Sequence, residues 1–159
     1  MLTDLGTRRA RLLAILLLVT ALTAGCYAGN ASDLPTGGIN RQLFELVNTD
    51  RAANGLPGLQ WDSQLGGLAQ EWSQQMASTR TFRHRDLNEV INRAEYAPYD
   101  RLGENILVGG CGISPEEIER AWMNSPGHRA NILGNYNTIG IGTVCQDRRL
   151  WATQNFGLR

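Results

Sequence analysis

The chain of 159 residues is long enough for one domain with a sizeable hydrophobic core, and 42% of its residues are hydrophobic. It carries 15 basic and 15 acidic side chains, so its formal net charge is zero. Nucleic-acid-binding domains present an excess or a run of basic residues, and this chain has neither. The composition therefore argues against a nucleic-acid partner.

The first 25 residues have the organisation of an export signal. Three arginines (Arg8, Arg9 and Arg11) precede an apolar run from Leu12 to Leu22. That run suits the hydrophobic region of a signal peptide and is too short for a membrane-spanning helix, which takes about 20 residues. We therefore predict that residues 1–25 are a signal peptide.

The end of this segment is similar to a bacterial lipoprotein cleavage box. Small residues stand directly before Cys26, although the leucine lies four positions before the cysteine and not the usual three. Cys26 is the predicted lipidation site, which implies an exported protein anchored to the cell membrane in a bacterial envelope. The rest of the chain has a slight acidic excess, so the membrane is expected as a partner only through this lipid. The alternative is an ordinary signal-peptidase site nearby, which would leave the protein secreted.

The cysteine count supports lipidation. Three cysteines in an exported protein leave an odd one over. If Cys26 carries lipid, Cys111 and Cys145 remain to form a disulfide in an oxidising compartment. Closing a loop of that size stabilises a fold by roughly 3–4 kcal/mol on the chain-entropy model. The alternative is a pair of unpaired buried thiols.

A short tether and two helices are predicted next. Residues 26–38 are small, polar and interrupted by Pro and Gly, which predicts a flexible tether. From Ile39 to Asn54 the apolar residues share one helical face, and Gly55 supplies the stop. Asp62 is the predicted N-cap of a second helix. Its apolar stripe predicts a buried face made of Leu65, Leu68, Ala69, Trp72 and Met76.

Three strands are predicted in the second half of the chain. Residues 79–102 are Arg-rich and irregular, apart from one short helical turn at 88–92. The strands follow at 104–108, 136–144 and 150–156, where strand-like apolar patterns lie between turn signals. Helices first, then strands mixed with helices and joined by short connections, predict an α+β layered domain.

The third helix has the most explicit start signals in the chain. Ser114 is its predicted N-cap, Pro115 takes the first helical position, and Glu117 completes a capping box. This helix is expected to run to Trp122. A fourth helix follows at once, with Ser125 as its predicted N-cap.

Two histidines and one carboxylate are the only residues that we expect to carry chemistry together. His84 and His128 are the only histidines, and Glu104 opens a predicted strand. His128 falls in the first turn of the fourth helix, where the helix dipole disfavours the imidazolium. We therefore predict a neutral imidazole that can bind a metal or accept a proton. Ser125 as a nucleophile rests on proximity to His128 alone, since no Gly-x-Ser-x-Gly elbow is present. Asn131 is expected to hold the loop after His128.

The order of these residues resembles the CAP superfamily, which groups cysteine-rich secretory proteins, antigen 5 and pathogenesis-related 1 proteins. The motifs occur in sequence as Asn48, Arg51, Trp61-Asp62, His84, Gly103-Glu104-Asn105-Ile106, Trp122, Gly127-His128 and Gln154-Asn155-Phe156-Gly157. The form of the stretch from Ser125 to Leu133 resembles the bacterial branch. Residues 39–159 are accordingly identified as a CAP, or SCP-like, domain. Asn48 and Arg51, three apart on one helix face, are predicted to be structural.

The resemblance implies an α-β-α sandwich, with a small antiparallel sheet between helical layers. It also implies a cleft that in many members holds two histidines and two acidic residues, sometimes with a divalent metal. His84, Glu104 and His128 match three of these positions, whereas the second acidic position is Ser125 here. A metal such as zinc would be held by His84 and His128, with Glu104 as a further ligand.

Two functions of different classes follow. The first is a non-enzymatic module that binds a small hydrophobic ligand, an envelope component or a protein partner through a cleft of His84, Glu104, Ser125 and His128. CAP relatives are associated with sterol or fatty-acid binding, and activity transfers poorly between them. The second is a metal-assisted hydrolase of peptide or cell-envelope polymer. We prefer the first, with no catalytic residue, because a hydrolase needs a separate general base once Glu104 is a metal ligand.

Overall fold

The computed structural model describes residues 38–159. The predicted signal peptide, Cys26 and all of the predicted tether except Gly38 lie outside that range. The helices are α1 (Gly38–Ala53), α2 (Ser63–Thr79), α3 (Leu87–Ile91), α4 (Pro115–Met123) and α5 (Pro126–Ile132). The strands are β1 (Gln60–Trp61), β2 (Arg101–Gly110), β3 (Thr138–Gln146) and β4 (Arg149–Leu158), and a 3-10 turn spans Ala94–Tyr96.

Every predicted helix and strand is present in the described chain, with differences at the ends. α1 begins at Gly38, which the sequence assigned to the tether, and β2 and β4 extend past their predicted limits at both ends. β3 begins and ends two residues later than predicted. β1 and the 3-10 turn do not follow from the sequence, because segments of two or three residues are too short to show a hydrophobic period.

The sheet is mixed, which corrects one detail of the predicted architecture. Its order is β1-β3-β4-β2, and β4 pairs antiparallel with both β3 and β2. β1 pairs parallel with β3. The predicted antiparallel sheet therefore describes the three long strands only. β2 lies at one edge, and its residue Glu104 stands opposite Asn155 of β4.

The α-β-α sandwich is confirmed. α2 packs on one face of the sheet against β3 and β4, while α1, α4 and α5 cover the other face. Successive residues of β4 alternate between the two layers, so that Ala152 joins the α1 and α4 side and Trp151 the α2 side. Within residues 38–159, no helix has the length and apolar character needed to cross a membrane.

Two glycines on β3 set the distance between α2 and the sheet. A Cβ placed on Gly140 would lie 2.0 Å from the backbone N of Gly66, and one on Gly142 would lie 2.2 Å from the backbone N of Gln70. These two positions share a face of the strand because side chains alternate. With no side chain at either position, the backbone of α2 rests directly on β3.

The predicted caps of α2 and α4 and the predicted disulfide are confirmed. Asp62 Oδ1 accepts from the backbone N–H groups at the start of α2, and Ser114 and Glu117 form the reciprocal capping box of α4. Cys111 and Cys145 form a disulfide with a Cα–Cα distance of 5.6 Å. It links the chain just after β2 to the end of β3.

Candidate functional site

Glu104 and His84 form the centre of the candidate site. The Glu104 side chain is 2% exposed on the edge strand β2, whereas that of His84 is 57% exposed. Glu104 Oε1 lies 2.8 Å from His84 Nδ1 and accepts a 3.0 Å hydrogen bond from the Arg85 backbone N–H. Its Oε2 accepts from the Asn155 side-chain amide at 3.5 Å. Because a carboxylate only accepts, this pairing places the proton of the neutral His84 ring on Nδ1 and leaves Nε2 unprotonated.

Trp72 of α2 holds the segment that carries His84. Its indole N–H donates to the carbonyl of Arg83 at 3.1 Å. The guanidinium carbons of Arg83 and Arg85 lie 5.1 and 4.7 Å from the Trp72 ring centroid, which is cation–π geometry. These two arginines are the residues directly before and after His84. Arg85 also pairs with Glu71 at 3.2 Å. The backbone of His84 is therefore held on both sides although its ring is exposed.

His128 lies on α5, within range of the charge of His84. Burial lowers the pKa of His128, and the charge of His84 lowers it further, so the ring is neutral at pH 7. The sequence predicted this direction from the helix dipole, but α5 has only seven residues and burial is the main cause.

Side-chain amides tie α5 to the strand that carries Glu104. Asn105 donates to the carbonyl of His128 at 3.1 Å. Asn131 donates to the carbonyl of Glu104 at 3.0 Å and to Asn105 Oδ1 at 2.9 Å. Asn131 therefore holds α5 itself against β2, whereas the sequence predicted that it holds a loop after His128.

Ser125 occupies the N-cap position of α5, as predicted, but its side chain makes no capping hydrogen bond. Among residues 38–159, its hydroxyl makes no hydrogen bond to His84, Glu104 or His128. A hydrogen bond thus joins His84 and Glu104 directly, while amide side chains tie the helix of His128 to the strand of Glu104.

The donor set fits a metal only in part. Across residues 38–159, no three His, Cys, Asp or Glu side chains are grouped so as to hold a metal ion. Glu104 is occupied by three hydrogen-bond donors and does not fit as a third ligand. Its bond to His84 Nδ1 instead resembles the outer-shell support that orients metal-binding imidazoles. The metal site on His84 and His128 stays a prediction.

A buried carboxyl, Glu119 of α4, was missed by the sequence reasoning. Glu119 is 3% exposed, and its Oε2 accepts from the Gln154 amide at 3.4 Å. Burial and the neighbouring negative charge of Asp50 raise the pKa of Glu119 to about 8. When Glu119 is ionised, its Oε1 has no donor among the described residues, whereas a protonated carboxyl can donate to Asp50.

Glu119 is connected to the candidate site by side-chain amides. Gln154 Oε1 accepts a 3.1 Å bond from Asn105, which in turn holds the carbonyl of His128. The available sequence signal was the position of Glu119, between Ile118 and Trp122 on the buried side of α4. A charged residue within an apolar stripe indicates a buried charge that needs a partner.

Asn48 and Arg51 are structural, as predicted. Asn48 exchanges two hydrogen bonds with the backbone of Leu59, at 2.7 and 3.1 Å. Arg51 is 1% exposed. Its guanidinium donates to the backbone carbonyls of Pro57, Ile132, Gly134 and Tyr136. Arg51 therefore fixes the end of α5 against α1.

Comparison with known proteins agrees with this architecture. The chain is 36% identical to the Bacillus subtilis protein YkwD over 122 residues, which cover 74% of this chain and 46% of YkwD. It is 27% identical over 135 residues to pathogenesis-related protein 1C of Nicotiana tabacum, covering 84% of this chain and 66% of that protein. The chain thus spans less than half the length of YkwD.

Solved structures show the same fold. An extracellular SCP-domain protein of Bacillus anthracis superposes with a TM-score of 0.65 at 30% identity, covering 77% of this chain and 41% of that one. An outer surface protein of Borrelia burgdorferi gives 0.69 at 21% identity, with coverages of 79% and 96%, a likeness of fold alone. The model of the cysteine-rich secretory protein (CAP) family matches residues 44–156. Since that match takes in most of the chain, the protein belongs to the CAP family.

Proposed function

We propose that this CAP-family protein is an exported, lipid-anchored component of a bacterial envelope. In this proposal its cleft around His84, Glu104 and His128 binds a small ligand, a lipid or a protein partner and catalyses no reaction. The N-terminal signal features support export, and the Bacillus anthracis relative is described as an extracellular protein.

The environment of Glu104 is the observation that carries the non-enzymatic proposal. A hydrolase needs an accessible base, or a metal-bound water, to generate its nucleophile. Glu104 is 2% exposed, and both of its oxygens already accept hydrogen bonds. Such a carboxylate positions His84 and does not reach a substrate. The accessible groups that remain are the imidazoles, which can donate, accept or bind without a paired nucleophile.

A turnover assay separates binding from hydrolysis. Dye-labelled casein and dye-labelled peptidoglycan are incubated with the purified protein, with and without added Zn²⁺. The double variant His84→Ala, His128→Ala serves as the matched control. We expect dye release by the wild type to equal that of the double variant. Release by the wild type alone would show that the cleft is catalytic.

Binding is followed on the imidazole signals of the only two histidines by NMR. Palmitate and soluble peptidoglycan fragments serve as probes of the lipid and polymer classes. A saturable shift of both rings with one probe would identify the ligand class. If neither probe shifts either ring, the cleft is not a site for these two classes.

Divalent-metal binding is the second candidate function. It is favoured by one observation, the hydrogen bond from His84 Nδ1–H to Glu104, which leaves Nε2 available as a ligand. His128 adds a neutral imidazole nearby. Calorimetric titration with Zn²⁺ tests this function. Stoichiometric binding that disappears in the His84→Ala, His128→Ala variant would establish it, and heat that is equal in both proteins would exclude it.

The lipid anchor is tested at Cys26. Cells that express the wild type or Cys26→Ser are grown with an alkyne-tagged fatty acid, and the purified proteins are compared for label. We expect label on the wild type only. An unlabelled wild type recovered from the medium would favour secretion after ordinary signal-peptide cleavage.

A further inference from the structure

At the hairpin end of the sheet, α2 ends before it covers the strands and leaves a cavity of about 210 Å³. The lining consists of Ala77, Arg80, Gln146, Asp147, Arg149 and Trp151. The helix stops at Thr79, while β3 and β4 continue to the turn between Gln146 and Arg149. A single water needs only about 10–15 Å³ of such space, so the cavity has room for a larger molecule.

The indole N–H of Trp151 has no acceptor within residues 38–159, although the residue is only 3% exposed. By contrast, Trp72 and Trp122 donate to backbone carbonyls at 3.1 and 3.2 Å. Buried indole N–H groups normally have a partner. The Trp151 indole nitrogen is not fully buried, unlike the unpartnered Nε of Arg85. The nitrogen therefore has some exposure to solvent, and Trp151 is one of the residues that line the cavity.

The charged groups of the cavity leave one cation without a partner. Arg80 pairs with Asp147 at 2.7 Å, and this pair is exposed to solvent. Arg149 makes no ion pair with any residue of the described chain. The amide of Gln146 donates over a long 3.5 Å contact to the carbonyl of Ala77. The lining thus offers hydrogen-bond donors and one net positive charge.

We propose that this cavity binds the oxyanion group of a small ligand, a carboxylate or a phosphate, between the Arg149 guanidinium and the Trp151 indole N–H. An oxyanion needs several hydrogen-bond donors and a compensating positive charge. The planar guanidinium supplies both, because its paired N–H groups match the spacing of carboxylate and phosphate oxygens. Trp151 lies four residues along β4 from Asn155, roughly 13 Å at strand spacing, so this site is distinct from the His84 cleft.

The indole signals of ¹⁵N-labelled protein provide the test. The chain has four tryptophans, and Trp151→Phe assigns the relevant signal. Acetate and inorganic phosphate are titrated separately at fixed ionic strength, which distinguishes a carboxylate from a phosphate site. We expect at least one probe to shift the Trp151 signal with saturation, while the Trp72 and Trp122 signals stay in place.

Two neighbouring arginines give a matched pair of variants. Arg149→Gln should weaken binding by about tenfold or more, because it removes a charged donor. Arg148→Gln removes the same charge one position away, but Arg148 does not line this cavity, so its effect should stay within about twofold. Unchanged Trp72 and Trp122 signals report an intact fold, and Arg80→Gln replaces Arg149→Gln if the latter does not fold. No saturation with either probe, or equal loss in both variants, overturns the site.

Discussion

Replacing Glu119 by glutamine should remove a pH dependence of stability that the wild type carries. The folded state raises the pKa of Glu119 from its ordinary 4.5 to about 8, through burial and the charge of Asp50. Between these two values the folded protein holds a proton that the unfolded chain has lost. By linkage, the contribution of this group to stability is greatest below about pH 4.5 and falls as the pH rises towards about 8.

Among the described residues around Glu119, no cation offsets this effect. Asp50 faces it from α1, and the guanidinium of the adjacent Arg51 is directed to backbone carbonyls. On the sheet side, the Gln154 amide donates to Glu119, and Asn105 donates to Gln154 in turn. Both of these side chains are uncharged. Between the two pKa values, the free energy of unfolding falls by about 1.4 kcal/mol for each pH unit. The loss between pH 5 and 7.5 is therefore at most about 3.4 kcal/mol. We expect about 2–3 kcal/mol, because local opening lets water reach the ionised carboxylate.

Thermal and urea unfolding of wild type and Glu119→Gln across pH 5 to 7.5 measure this contribution. The difference between the two proteins cancels every other titrating group that both share. The wild type should lose stability relative to the variant by roughly 5–10 °C in Tm as the pH rises. A difference that stays constant over this range would show that Glu119 is ionised and solvated in the folded protein, and would refute the reasoning.

Three further predictions concern the framework of the site. Gly142→Ala should cost about 2 kcal/mol or more in urea unfolding, because its Cβ would meet the backbone of α2, whereas Gly112→Ala, with open space around it, should be near neutral. Cys111→Ser should lower stability by roughly 3–4 kcal/mol without reductant, and an equal loss with reductant present would argue against the disulfide. Trp72→Phe removes the bond to the Arg83 carbonyl and should shift the His84 ring signals in NMR spectra, while unchanged signals would mean that Trp72 does not hold this segment.

Local features of the fold were predictable because their physics is local. The caps at Asp62 and Ser114 depend on residues within one helical turn, and both have the predicted geometry. The pairing of Cys111 with Cys145 follows from the cysteine count once Cys26 is assigned to lipidation. The parallel pairing of β1 was not predictable, because it joins two residues to a strand far along the chain.

For the candidate site, the sequence predicted a set of residues and not the hydrogen bonds that each of them makes. The family resemblance placed His84, Glu104 and His128 in one cleft, since no local spacing relates residues so far apart. What Glu104 does there depends on Asn155 and the backbone of Arg85, which reach it only through the pairing of β2 with β4 and the path of the preceding loop. Glu104, which was expected as a further metal ligand, is instead a buried hydrogen-bond acceptor.

The central claim is that His84 and His128 share one cleft in which Glu104 holds His84. It is tested most directly by NMR titration of the two imidazoles, which give only two sets of signals. The structure predicts that His128 titrates below its ordinary value of 6.5 and that its pKa rises in a His84→Asn variant, because the charge of His84 is removed. A His128 that titrates at its ordinary value, unmoved by that substitution, would contradict the shared cleft.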